Sequence, residues 1–277
     1  MPSVLVTGAG RGIGRATTLR LAAAGWDVIA GVRRAEDGEA LAGERISHLL
    51  LDVTDADQVA SLPEALPARL DAVVNNAGVV VAGPVEAVPL DELRRQMEVN
   101  LIGQTAVTQA VMSQVRAARG RVLFVSSVSG RIATPMTGPY NASKFALEGL
   151  ADALRMEVRP WGVKVVLIEP GQVDTDIWKG AEGMLDEAAA ALSPTHRELY
   201  DKHIEGWRKK ALPMSRRLAA PVDDVSATIE RALTAKRPRA RYVVGAGNRI
   251  QSALAQFTPT AVLDSMLRAG TGVPRRP

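Results

Sequence analysis

Up to about residue 245, the hydrophobic residues fall into short unbroken runs rather than a strict alternation with polar ones. Ser3-Val6, Asp27-Val32, Ser47-Leu51, Ala72-Val74, Arg121-Ser126, Lys164-Glu169 and Arg241-Val244 are rich in Val, Leu and Ile. Runs of this kind suit strands of a sheet covered on both faces. Between them, the stretches 12–24, 55–62, 89–117, 140–158 and 221–235 have helical spacing. Strand and helix alternating in this way predict an α/β fold: a doubly wound parallel sheet of about seven strands with helices on both faces. No long polar linker and no internal repeat divide the chain, so residues 1–277 are expected to form one domain.

The first strand runs into the segment TGAGRGIG, residues 7–14, with four glycines in seven positions. Glycine weakens both strands and helices, so such a turn makes sense where another molecule must approach the backbone. At a strand-to-helix turn, Gly8 permits the tight bend, Gly12 admits a pyrophosphate and Gly14 lets helix pack on strand. The helix N-terminus then offers free N–H groups and partial positive charge to the phosphates. The spacing Gly-x-x-x-Gly-x-Gly departs from the Gly-x-Gly-x-x-Gly of the standard dinucleotide fingerprint.

Composition narrows the chemistry. The chain has no cysteine, which excludes disulfides, thiol catalysis and thiolate metal sites, and His48, His196 and His203 are too scattered to be a ligand set. No metal is therefore expected. No stretch reaches the roughly 18 apolar residues of a membrane span, and a strand-like run begins at residue 3 without a signal peptide, so a cytoplasmic protein is expected. Residues 1–199 carry a net −5 and residues 200–277 a net +9, within a total of +4. A basic end can meet nucleic acid, a membrane surface or an anionic substrate, or can simply be a solvated surface. It has few aromatics between its basic residues and no nucleic-acid motif, so no nucleic-acid partner and no membrane contact are expected.

Further motifs follow the glycine turn. Asn75-Asn76-Ala77-Gly78 closes the fourth strand, Asn100 sits midway along the helical stretch 89–117, and Ser126-Ser127 ends the fifth strand. Tyr140-Asn141-Ala142-Ser143-Lys144 follows, then Pro170-Gly171 with Thr175 four residues on. Tyr140 and Lys144, four apart on a helix, share a face. An ammonium within a few ångströms favours the phenolate and lowers a phenol pKa from its usual value of about 10. In this order, the motifs resemble those of the short-chain dehydrogenase/reductase family over nearly the whole chain, fading after about residue 178, and Gly83-Pro84-Val85-Glu86-Ala87 with the long basic C-terminal region looks most like its steroid- and retinol-type branch. The resemblance implies a Rossmann-like fold in which Tyr140 is the catalytic acid/base. Ser127, thirteen residues before it, orients the substrate oxygen. Lys144 lowers the tyrosine pKa and holds the nicotinamide ribose, and Asn100 holds a water linking that lysine to solvent. Ser126 is less suited to Ser127's role, because neighbouring strand residues face opposite ways.

The resemblance also implies a nicotinamide dinucleotide cofactor held by Thr7, Gly8, Arg11, Gly12, Ile13, Gly14, Arg33, Asp52, Val53, Asn76, Ala77, Gly78, Tyr140, Lys144, Pro170, Gly171, Val173 and Thr175. Where NAD-preferring sites carry an acid after the second strand, this chain has Val32 followed by Arg33. A guanidinium suits a 2′-phosphate, and Arg11 can reach the same group, so NADP(H) is favoured over NAD(H). Asp52-Val53 resembles the pair that contacts adenine.

Residues 176–215, where the family varies its substrate lid, contain Trp178, Met184, Leu185, Leu192, Tyr200, Trp207 and Met214. These can cover an apolar substrate, pack the lid on the body or form a subunit contact, and the sequence leaves this open. Val79-Val80-Val81, Met136 and Pro139 add apolar candidates near the site. In the C-terminal extension, 248–277, residues 248–267 have amphipathic spacing that serves a lid, an oligomer contact or a membrane surface equally well. The expectation is an NADP(H)-dependent oxidoreductase acting on an apolar, medium-sized carbonyl or alcohol, as a homodimer or homotetramer. The rivals are a 3-oxoacyl-thioester reductase and a non-catalytic NADP(H)-sensing regulator.

Overall fold

The computed structural model describes residues 1–174, 181–245, 247–248, 255 and 257–274. Seven strands, β1 (Ser3–Thr7), β2 (Asp27–Val32), β3 (Ile46–Leu50), β4 (Ala72–Asn75), β5 (Arg121–Val125), β6 (Lys164–Pro170) and β7 (Arg241–Val244), pair in parallel in the order 3-2-1-4-5-6-7. Successive parallel strands need crossovers. α1 (Gly12–Ala23), α2 (Ala35–Glu39) and α3 (Ala56–Ala65) supply them on one half of the sheet. On the other, α4 (Leu90–Met97), α5 (Gln104–Ala118), α6 (Gly138–Glu157) and α10 (Val222–Thr234) do so. The strand order reverses between β1 and β4, and the carboxyl ends of those strands open the crevice in which such sheets bind ligands.

Period-two alternation divides the sheet between two cores. Val4, Val6, Val74, Leu123 and Ile168 pack with Leu21 of α1 and Ile229 of α10. Leu5, Val73, Phe124 and Leu167 face the other way, against Val111 of α5 and Leu147 of α6. Continuous apolar runs are the sequence form of strands buried on both sides, which is why the runs located the central strands to within a residue. The edge strand β3 is half polar and more exposed.

The helices differ in detail from the expectation. The stretch 89–117 is helical as expected, from Leu90 to Ala118, but a wider-wound π segment at Glu98–Gly103, which contains Asn100, interrupts its α winding between α4 and α5. The five-residue α2 was not anticipated. Of the amphipathic stretch expected at 248–267, residues 248 and 255 are helical and the part from Thr260 on belongs to α11, which spans Thr260–Thr271. Pro259 precedes its first turn, and Gly272, at φ +78°, ends it. Residues 249–254 and 256 lie outside the described residues.

The lid region forms α7 (Ala181–Ala190), α8 (Pro194–Gly206), a π turn (Trp207–Ala211) and α9 (Leu212–Leu218). Leu185, Ile204, Trp207 and Leu212 make a third core with Met136 of the body, and Met184, Leu192 and Tyr200 pack against it. Met136 holds a left-handed backbone, φ +67°, that is costly for a side chain with a Cβ. Its burial among the lid residues holds it there. Met214 is exposed, and Trp178 lies outside the described residues.

Candidate active site

At the carboxyl edge of the sheet, a cavity of about 820 Å³ runs from the glycine turn to α6. Its floor comes from the first turn. Gly8 and Gly12 adopt φ +63° and +54°, a left-handed conformation that costs glycine little. A Cβ on Gly14 would collide with the Gly8 carbonyl oxygen and lie 2.6 Å from Asn76 Nδ2, so only glycine brings the start of α1 this close to β1. Thr7 is fully buried and does not reach the cavity; its Oγ1 accepts hydrogen bonds from the Asn76 and Ala77 amides, both 3.0 Å, and ties the ends of β1 and β4 together.

Along this floor lie Arg11, Ile13, Ala77, Gly78, Asp52 and Val53, and across it Pro170, Gly171 and Val173. With Gly8, Gly12 and Asn76, they make the backbone-lined cradle that a dinucleotide requires. Of the residues expected to line it, Thr7 and Gly14 serve by packing, and Thr175 lies outside the described residues.

At the far end, Asn100, Ser127, Tyr140 and Lys144 converge on the same cavity. The Ser127 hydroxyl donates to the Pro170 carbonyl, 3.3 Å, and accepts from the Ser129 amide, 3.1 Å, so it also caps the short 3₁₀ turn Val128–Gly130. Ser126 borders the cavity too, and its buried hydroxyl has no hydrogen-bond partner among the described residues. Asn100 is fully buried: its Oδ1 accepts from the Val79 amide at 2.8 Å, while its Nδ2 donates to the Val79 carbonyl and to Ser143 Oγ. The π segment thereby turns one asparagine toward both the β4 loop and α6, and such bulges often sit at functional sites.

The electrostatics differ from the expectation. Burial pushes the Tyr140 phenol above its usual value, and a hydrogen bond to Ser127 opposes this. Lys144 Nζ lies 5.8 Å from the Tyr140 ring centroid and donates to the Val125 carbonyl at 2.8 Å. Burial lowers Lys144 itself to about 8, with Glu148 acting against the fall. In this geometry Tyr140 is a neutral phenol, able to give a proton, and further positive charge at the site would be needed to make it a base at neutral pH.

Several residues escaped the sequence reading. Arg34 binds both oxygens of Asp37 at 3.0 and 2.8 Å, and both line the end of the cavity beside β2, with Arg11 and Arg33. The i,i+3 spacing of Arg34 and Asp37 was the signal. Arg95, Glu98 and Val99 border the cavity from α4 and the π segment. Val79 and Val80 line it as expected, whereas Val81 and Met136 are buried elsewhere and Pro139 serves the start of α6. None of the described lid residues lines it.

Residues 2–185 match the model of the family described as short chain dehydrogenase. The chain belongs to that family. It is 34% identical to the NADPH-dependent 3-dehydrocapnine reductase of Ornithobacterium rhinotracheale, over 96% of each chain. It is also 34% identical to retinol dehydrogenase 5 of Mus musculus, over 95% of this chain and 87% of that one. A short-chain dehydrogenase from Streptomyces avermitilis has the same fold, with a TM-score of 0.76, 27% identity and coverage of 99% and 98%. This short chain dehydrogenase is thus an oxidoreductase acting on CH–OH donors with a nicotinamide cofactor, near the steroid- and retinol-type branch. Among the described residues, no helix is long and apolar enough to cross a membrane.

Proposed function

We propose that this chain interconverts a carbonyl and an alcohol on an apolar, medium-sized substrate, with NADP(H) as its cofactor and Tyr140 as its acid/base. The observation that carries this reading is the convergence of Ser127, Tyr140, Lys144 and Asn100 on one end of a cavity whose other end is the glycine cradle. When bound, the nicotinamide supplies or accepts the hydride. The protein's part is proton handling and positioning. Tyr140 gives its phenolic proton to the substrate oxygen in reduction and takes the hydroxyl proton in oxidation. Ser127 holds that oxygen by a hydrogen bond, Lys144 holds the ribose, and Asn100 fixes the β4 loop against Ser143.

Val32 ends β2 and Arg33 follows it, where an acid would favour NAD(H), and Arg11 lies close by. The NADPH dependence named for the relative from Ornithobacterium rhinotracheale agrees with this preference. Val79 and Val80 supply apolar wall beside the catalytic end, and the retinol-type relative acts, by its name, on an apolar alcohol. Residues 176–215 are proposed as a substrate lid that closes over the cavity from outside, since its described residues pack in their own core beside it, in a single domain that assembles as a homodimer or homotetramer.

Titration of the purified protein with NADPH and NADH, followed by turnover of a steroid ketone, retinal, an aromatic aldehyde and an acetoacetyl thioester, tests the reading. Preferential NADPH binding with turnover of one of the first three supports it. Turnover of the thioester alone replaces the substrate class, and NADPH binding without turnover of any favours the sensing regulator.

A further inference from the structure

Behind the catalytic residues lies a chain of charges that the proposed chemistry does not use. Glu169, next to last in β6, is fully buried, and two guanidiniums grip it. Arg131 reaches it at 2.7 Å and Arg241, at the start of β7, at 3.2 Å. The same Arg241 Nε meets Glu148 of α6 at 3.0 Å, and its Nη2 meets Asp152 at 2.6 Å. Burying this many charges is costly, and a well-packed apolar cluster would be as stable or more so. Stability alone does not account for them.

What the cluster touches suggests its use. Arg131 directly follows the 3₁₀ turn capped by Ser127, and Glu169 precedes Pro170, whose carbonyl accepts the Ser127 proton. Glu148 lies one helical turn beyond Lys144. Gly130 wedges the turn against both: a Cβ there would lie 2.9 Å from Glu148 Cγ and 3.0 Å from the Lys144 carbonyl oxygen. The ion pairs thus join the three elements that carry Ser127, Lys144 and the β6 end of the cofactor cradle. Inside the cluster, three carboxylates (Glu148, Glu169, Asp152) face two guanidiniums, with Arg155 joining Asp152 from a more exposed position. Lys144 is the next cation along the same face of α6, one turn before Glu148, whose charge favours its ammonium.

We propose that Glu148, held by Arg241 within this bracket, is a positioning residue that keeps Lys144 charged and in place, while Arg131 and Glu169 fix the Ser127 turn against the same helix. The proposal rests on the catalytic roles assigned to Lys144 and Ser127. The titratable and charged groups around Lys144 are Tyr140 and Glu148 on its own helix, with Glu169 of β6, Arg241 of β7 and Arg131 of the 3₁₀ turn behind Glu148. Burial depresses the Lys144 ammonium and Glu148 opposes that, so the bracket works against desolvation.

The test uses the cofactor-free protein. The chain has seven lysines, so a [¹³C]lysine sample gives few enough signals to follow Lys144 through a pH titration by NMR, with Lys144→Met for assignment. Glu148→Gln is expected to lower the Lys144 midpoint by roughly half a pH unit or more. Arg241→Gln, which frees the negative charge of Glu148, is expected to raise it. Glu148→Asp should restore most of the wild-type value. A midpoint unmoved by both substitutions, or moved the same way by both, overturns the proposal, since general loosening has no reason to give opposite signs. If Glu148→Gln does not melt cooperatively, Arg241→Gln decides alone: a rise supports the bracket and no rise overturns it. The catalytic assignment has its own test in the turnover of Tyr140→Phe, so either idea can fail without the other.

Discussion

Lys144 and Ser127, at the α6 end of the cavity, are 4% and 7% exposed, whereas Arg33 and Arg34, at the end beside β2, are open to solvent. Both ends do their work with charge and hydrogen bonds, in very different dielectrics. Inside, an uncompensated ammonium is expensive, and a single hydrogen bond has nothing to compete with it. Outside, water and salt weaken each pair, so recognition needs several arginines acting together. Substitutions should therefore have large effects at the buried end and graded, salt-dependent ones at the exposed end.

The largest effect is expected at Tyr140. Tyr140→Phe removes the one proton at the substrate oxygen, and turnover should fall by about a thousandfold or more while NADPH affinity stays within roughly threefold. Steady-state kinetics and a binding titration on the same sample check both halves.

Next is Lys144→Met, read as stability against pH. Burial holds the Lys144 ammonium at about 8, below the usual lysine value of 10.5, so between these values the unfolded chain binds more protons than the folded one. Wild-type stability then rises with pH through that window; the cost of burying the ammonium is fully present below pH 8 and gone above 10.5. The methionine variant lacks this dependence and loses the Val125 hydrogen bond at every pH. The difference in unfolding free energy should shift toward wild type by on the order of 3 kcal/mol from pH 8 to 10.5 in denaturant melts. Parallel curves would mean that Lys144 is solvated.

The two ends also differed in how plainly the sequence announced them. Tyr140 and Lys144 lie on one regular helix, and Ser127 and the Gly8–Gly14 turn sit at strand ends, so period and spacing placed them in space. Asn100 was placed in the right stretch, but its orientation depends on a π segment for which the helical period carries no mark. The bracket of Arg131, Glu148, Glu169 and Arg241 joins residues up to 110 apart in the chain, and no local pattern links them. Trp207 illustrates the same limit: it packs with Met136 in the lid core and donates to the Pro135 carbonyl instead of facing the cavity. At the end beside β2, Arg33 stood out because an acid was missing beside it, but the pairing of Arg34 with Asp37 needed the fold of the short α2.

At that exposed end, Arg33→Ala should weaken NADPH binding by about tenfold and leave NADH within twofold, the value of one charge-assisted contact to a 2′-phosphate. Isothermal titration at two salt concentrations checks it, since only the NADPH difference should shrink with salt. Equal losses for both cofactors would assign Arg33 to packing.

Asp37→Asn should give the smallest change, and in the opposite direction. Asp37 holds Arg34 through both oxygens, and Arg34, Arg11 and Arg33 all draw its carboxyl below the usual range, so it partly neutralises the arginines a 2′-phosphate would meet. It also lies beside the glycine turn, where a Cβ on Gly10 would come 3.0 Å from its Oδ2. Asparagine keeps the shape and removes the charge. NADPH and 2′,5′-ADP should then bind about two- to fivefold tighter, with NADH and 5′-AMP unchanged, as expected for one partly screened like charge near the surface. If NADPH instead binds more weakly, Asp37 serves mainly to hold Arg34 in its binding posture, and the exposed end depends on preorganisation as much as the buried one does.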